Sequence, residues 1–191
     1  MKVLIIDNGT IHLENLKKLL SGNSLTVLKF FSGYPSPSSF DLIVLSGGST
    51  YEVAEHPEKF KKEIDLVKNS PVPVVGVCEG CEIIAYGYGS ELYEFGPKEK
   101  GIKSIKFLDN NLLDTNGNVD VFEAHHWAIK KLGPDLTGIA KSEHGWEMIK
   151  VKDKDIYGFQ FHPEMLTDKL IGDDIFRKVI RKCLPLIPNA T

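Results

Sequence analysis

The sequence predicts an α/β fold, with a mostly parallel, doubly wound sheet and a small antiparallel β insertion. In the first half, short and almost wholly apolar runs at residues 3–6, 25–31, 42–45 and 72–77 alternate with amphipathic helical stretches. Continuous apolar runs suit parallel strands covered on both faces, and strand–helix alternation suits βαβ units. From residue 91 the runs shorten and alternate with polar positions, as antiparallel strands with one wet face do.

Each element follows from its own pattern. Residues 3–6 open the chain as a strand. Ile11, Leu13, Leu16, Leu19 and Leu20 then keep helical spacing. Residues 25–31 form the second strand, followed by the loop-like Ser32-Gly-Tyr-Pro-Ser-Pro-Ser-Ser39. The third strand, 42–45, runs into Ser46-Gly47-Gly48, and Phe60, Ile64, Leu66 and Val67 mark a second helix. Strand 72–77 is followed by a helical pattern from near Gly80. Short strands are then expected at 91–95, 102–107, 119–123, 138–141 and 148–151, with turns at Asp109-Asn-Asn and Asn116-Gly-Asn. Residues 156–161 return to a strand pattern, and a helix from about 168 to 183 is stopped by Pro185.

At 191 residues the chain fits one domain spanning 1–191. Lysine and arginine total 23 against 26 aspartates and glutamates, a net charge of −3, so a polybasic nucleic-acid binder is not expected. Arg177 and Arg181 are the only arginines, which leaves little for bidentate readout of phosphate or guanine. Three cysteines are too few and too odd in number for a disulfide framework, and a reducing cytoplasm is the expected compartment. The first residues carry too short an apolar run for a signal peptide, and no membrane span is expected. The sequons at Asn8 and Asn189 therefore carry no weight. A phosphate loop is also missing, so nucleotide hydrolysis is not expected.

The chemistry concentrates at Gly76-Val77-Cys78-Glu79-Gly80, between an apolar strand and a helix. Gly-x-nucleophile-x-Gly is the spacing of a nucleophile elbow, whose sharp turn leaves no room for side chains two positions either side. The turn lifts the thiol above the sheet and aims backbone amides at a developing oxyanion. A helix N-terminus is also expected to lower the thiol's pKa. The alternative, a buried structural cysteine, does not explain the paired glycines.

A thiol nucleophile needs a base, and the base needs an orienting group. Of six histidines, only His162 follows a candidate core strand and has a carboxylate two residues on, in His162-Pro163-Glu164. Pro163 favours an extended His162, which lets Glu164 sit beside its ring. His12, His56 and His144 read as surface residues.

Gly-Val-Cys-Glu-Gly-Cys-Glu, followed about 80 residues later by Phe-Gln-Phe-His-Pro-Glu, resembles the class I (triad) glutamine amidotransferase family over nearly the whole chain. The resemblance implies a flavodoxin-like fold and a Cys78-His162-Glu164 triad that releases ammonia from glutamine through a glutamyl thioester. It further implies an oxyanion hole from the Gly48 and Glu79 amides, substrate contacts from Gly47, Glu82, His125 and His126, and neither cofactor nor metal. The ammonia acceptor is expected on a separate synthetase subunit. In length the chain is similar to the stand-alone glutaminase subunits of two-chain GMP synthetases.

Three positions depart from the family pattern. Glu82 stands where glutamine is usual, and a carboxylate there favours an α-ammonium but repels an α-carboxylate. Cys81 and Ser49 replace a commonly bulky residue and a common proline. Within Val121-Phe-Glu-Ala-His-His-Trp127, His125 and His126 should point to opposite sides of a strand, which disfavours a shared metal. A γ-glutamyl amide or peptide substrate and a catalytically silent homologue remain as alternatives. So does a redox Cys78-x-x-Cys81 pair, with a regulatory disulfide as a secondary role.

Overall fold

The computed structural model describes residues 1–108, 117–165 and 170–183. The strands are β1 (Lys2–Asn8), β2 (Ser24–Lys29), β3 (Leu42–Gly48), β4 (Val74–Val77), β5 (Glu91–Phe107), β6 (Gly117–Lys131), β7 (Leu136–Lys141), β8 (Trp146–Val151) and β9 (Ile156–Phe159). The helices are α1 (Leu13–Leu19), α2 (Lys61–Asn69), α3 (Glu79–Gly87) and α4 (Gly172–Cys183). One sheet takes the order β2-β1-β3-β4-β9-β8-β6-β5-β7.

Strands β2, β1, β3, β4 and β9 pair in parallel. From β9 to β7 every pairing is antiparallel. The expectation of a mostly parallel sheet with a small insertion therefore needs correction. The antiparallel part holds the two longest strands, β5 with 17 residues and β6 with 15. Gly96-Pro97 reads as a break between two short strands, yet it is absorbed as an irregularity between Glu94 and Glu99 within one strand. A bulge carries the extra residues without ending the ladder. Likewise β6 runs on through the polar His125-His126 pair. The turns expected at Asp109 and Asn116, the helix start at 168, Pro185 and Asn189 lie outside the described residues.

Strand alternation splits the core in two. Val3, Ile5, Leu42, Val44, Val75 and Val77 face the side packed by α1 and α4, through Leu16, Leu19, Ile175, Phe176 and Val179. Leu4, Ile6, Ile43, Leu45 and Val74 face α2 and α3, through Leu66, Val67, Ile83 and Ile84. Helices on both faces are why the parallel strands are apolar throughout. Among the described residues no helix is long and apolar enough to cross a membrane.

One buried acid interrupts this packing. Glu63 on α2 is 1% exposed. Burial pushes its pKa from the ordinary 4.5 to about 8, and the Asn8 side chain only partly offsets this. The folded chain thus holds a proton that the unfolded chain releases, and Glu63 costs stability progressively as pH rises from about 4.5 to about 8. Glu63→Gln is expected to stabilise the fold by about 2–4 kcal/mol at pH 8 and to change little at pH 4.5. Urea unfolding at both pH values checks this; an equal effect at both would refute the burial account.

Candidate active site

Strands β3, β4 and β9 lie side by side and end on the same edge, and each delivers one part of the site. After Val77 the chain turns sharply: Cys78 has φ 51° and ψ −110°, the only positive φ of a non-glycine residue among those described. Two glycines make the turn possible. A Cβ on Gly76 would collide with the Gly80 carbonyl, and one on Gly80 with the Leu45 backbone. The Cys78 N–H donates to Phe159 O at 2.7 Å, which ties the elbow to β9.

Beyond β9, the His162 N–H donates to Phe122 O at 2.8 Å. His162 Nδ1 lies 2.8 Å from Glu164 Oε1, and both side chains are buried. An ionised carboxylate only accepts, so Nδ1 carries the proton and Nε2 is left as the base. His162 Nε2 has no hydrogen-bond partner. Gly47 stands between the two halves: a Cβ there would meet Cys78 Cβ at 3.4 Å and His162 Cε1 at 3.5 Å. The structure thus brings Cys78, His162, Glu164 and Gly47 together.

The glycine loop is anchored from β1. Asn8 N–H donates to Ser46 Oγ at 2.9 Å, Asn8 Nδ2 donates to Ser46 O at 3.1 Å, and Ser46 Oγ donates to Gly47 O at 2.7 Å. A side chain on Gly48 would run into the Glu79 carboxyl and Asn8 O, so only glycine lets the loop lie this close to α3. The Glu79 backbone N–H points at the Cys78 sulfur. A solvent-open cleft lies over Cys78 and His162, bordered by Gly48, His12, Lys98 and Lys100. An adjoining recess reaches Glu52, Glu79, Glu82, His125 and His126.

Electrostatics correct one expectation. Burial, then the charges of Glu82, Glu79 and Glu164, push the Cys78 thiol well up, and the Glu79 amide offsets only part of this. The helix N-terminus does not win, and the resting nucleophile is a thiol. Glu79 is itself raised to about 9 by burial and by Glu82, Glu63 and Glu52. Burial also raises Glu82, which accepts from Gln160 Nε2 at 2.9 Å.

His12 is not a free surface residue: its ring packs edge-on against His162, centroids 5.6 Å apart. Burial and His162 lower its pKa. His144 stacks on Phe95 with centroids 4.0 Å apart. His125 and His126 diverge as strand neighbours should. His126 Nε2 lies 3.4 Å from Glu52. His125 turns inward toward Glu123 and Glu147, and those three residues could hold a metal ion. Burial lowers the His125 pKa, but the two carboxylates outweigh it and raise it overall. Cys81 packs beneath β9, its sulfur filling the space a Gly158 side chain would need. Cys78 and Cys81 are both free, and they belong to the cores on opposite sheet faces. Asn8, Gln160, Glu123 and Glu147 escaped the sequence reading, because nothing local marks a residue whose partner lies tens of positions away.

Known proteins share this architecture. The sequence matches the family described as glutamine amidotransferase class-I over residues 4–182. It is 32% identical over 152 residues to a glutamine-hydrolysing GMP synthase of Chlamydia caviae, covering 76% of this chain but only 28% of that protein. It is 30% identical over 148 residues to one subunit of the glutamine-hydrolysing GMP synthase of Sulfolobus acidocaldarius, covering 75% and 77% of the two chains. A crystal structure from Thermoplasma acidophilum, provisionally named as a GMP synthase subunit, superposes with a TM-score of 0.81 at 26% identity, over 96% of this chain and 94% of that one. The chain belongs to the class I glutamine amidotransferase family, and it is an enzyme of that family's glutamine-hydrolysing kind.

Proposed function

We propose that residues 1–191 act as one glutaminase domain in which Cys78, His162 and Glu164 form the triad. The observation that carries this is the unpartnered Nε2 of His162, whose ring is oriented by Glu164 and lines one cleft with Cys78, on either side of Gly47. His162 Nε2 takes the thiol proton as sulfur attacks the carboxamide carbon of glutamine. The Gly48 and Glu79 amides hold the oxyanion. Collapse breaks the C–N bond, His162 returns the proton to the departing ammonia, and a glutamyl thioester remains on Cys78. Water, deprotonated by His162, then attacks the thioester, and glutamate leaves as the thiol re-forms.

Because the resting thiol is neutral, proton transfer to His162 accompanies attack. His125 and His126 border the bound substrate, Lys98 reaches over the same space, and Gly47 backs it between Cys78 and His162. Ammonia passes to a separate synthetase subunit in a reducing cytoplasm, and a GMP-forming partner is the reading the named relatives favour. Ammonia release from glutamine is the test, measured alone and with a GMP synthase synthetase subunit present. Failure of an electrophilic glutamine analogue to label Cys78 under either condition would favour a silent homologue.

Glu82 is the observation behind a second reading, a γ-glutamyl amide or peptide substrate. A buried Glu82 with a raised pKa holds its proton more readily, and a neutral carboxyl can donate as glutamine does. That keeps free glutamine as the leading substrate. Glu82→Gln keeps that neutral donor and removes only the charge that Glu82 carries once ionised, so glutaminase turnover at neutral pH should change by less than about tenfold, while Cys78 alkylation should quicken at the higher pH where Glu82 ionises. Turnover of γ-glutamyl compounds but not glutamine, unchanged by Glu82→Gln, would favour the second reading.

A further inference from the structure

Strands β6 and β8 meet in register at a single pair, Ile129↔Trp146. Beyond that pair they carry three inward-facing ligand groups, Glu123 and His125 from β6 and Glu147 from β8. All three side chains are 2% exposed or less. His125 Nε2 lies 3.6 Å from Glu123 Oε2 and 4.0 Å from Glu147 Oε2. Glu123 Oε1, His125 Nε2 and Glu147 Oε2 are buried with no hydrogen-bond partner.

The outer contacts of the cluster are already fixed. His125 Nδ1 donates to Trp127 O at 2.7 Å, which leaves the Nε2 lone pair aimed between the carboxylates. Ser142 Oγ donates to Glu147 Oε1 at 2.6 Å, which turns the other oxygen inward. Such outer-shell bonds are what orient metal ligands. On the outer side, a cavity of ≈ 210 Å³ bordered by Glu99, Lys103, Glu123, Glu143 and His144 leads from solvent to the Glu123 side of the cluster.

We propose that Glu123, His125 and Glu147 bind one first-row divalent cation, Zn²⁺ by preference, which bridges β6 and β8 where their backbone pairing has ended. Two carboxylates and one imidazole suit such an ion, with water in the remaining position. Tetrahedral Zn²⁺ with bonds of about 2.0–2.2 Å spaces its donors about 3.3–3.6 Å apart, and the three ligand atoms already lie within 4.8 Å of one another, with the two His125 separations at 3.6 and 4.0 Å. The same His125 borders the recess beside Glu82, so the ion sets one wall of the substrate site while lying outside the triad.

Calorimetric titration of chelator-treated, full-length protein with Zn²⁺ tests this, in the wild type and in Cys78→Ser, the latter so that the Cys78 thiol takes up no Zn²⁺. Expected is one ion per chain in Cys78→Ser with Kd below about 10 μM, weakened at least about tenfold by adding Glu147→Gln. Absence of binding in Cys78→Ser overturns the proposal, and so does a folded Glu147→Gln protein that binds unchanged. Should Glu147→Gln not fold, Co²⁺ titration of Cys78→Ser decides. Visible d–d bands at one Co²⁺ per chain support the site, and their absence refutes it.

Discussion

Cys78→Ala should lower glutamine turnover by at least about 10⁴-fold while leaving the fold intact, because loss of a nucleophile in a triad removes the covalent route altogether. The expectation rests on the elbow: Cys78 is the residue lifted above the strand edge, and its backbone is held by Gly76, Gly80 and the bond to Phe159. Alanine keeps the backbone but offers no thiol to form the thioester. The residual rate comes from the amides and the base acting on water. Trapping with an electrophilic glutamine analogue followed by intact-mass measurement should show one adduct on wild type and none on the variant. Equal turnover by both proteins would sink the mechanism. An adduct that persists on Cys78→Ala would move the nucleophile elsewhere.

Glu164→Gln ranks second. The 2.8 Å contact with Nδ1 does two things: it fixes the tautomer that leaves Nε2 free, and it stabilises the imidazolium formed on attack. A glutamine amide can present its N–H₂ to Nδ1, which favours the opposite tautomer and disables Nε2 as a base. In a serine protease triad the equivalent acid-to-amide change costs about 10⁴-fold in kcat, and a thiol, even one raised by burial, gives up its proton more readily than a serine hydroxyl. The expected loss here is therefore about 10²–10⁴-fold in kcat, with KM nearly unchanged. Because Glu164 is buried, the variant needs a parallel melting curve. A loss in KM alone would recast Glu164 as a substrate contact.

Much of this was legible because the signals are local. The glycines around Cys78 and the proline between His162 and Glu164 each restrict backbone shape within five residues, and the structure shows the sharp turn at Cys78 and the Glu164 carboxylate beside the His162 ring. The parallel half of the sheet was legible for the same reason, since its strands are apolar on both faces. The antiparallel half was underestimated because β5 is a long exposed ribbon of lysine and glutamate whose Gly96-Pro97 resembles a turn. Thiol electrostatics could not be read at all: Glu82 and Glu164 reach Cys78 through the fold, and burial outweighs a helix end. The Glu123–His125–Glu147 cluster stayed hidden for a similar reason, since Glu147 arrives from a strand that pairs with β6 at one point only.

Strands β4 and β9 pair in register at Val77↔Phe159, one residue before the nucleophile and three before the base. Neither group rides on a lid or across a domain boundary. The separation of sulfur and imidazole is therefore fixed by the central ladder, and motion of the β5 ribbon alters access without altering that separation. Heat inactivation should accordingly track the loss of far-ultraviolet ellipticity, with no dead but folded species accumulating first.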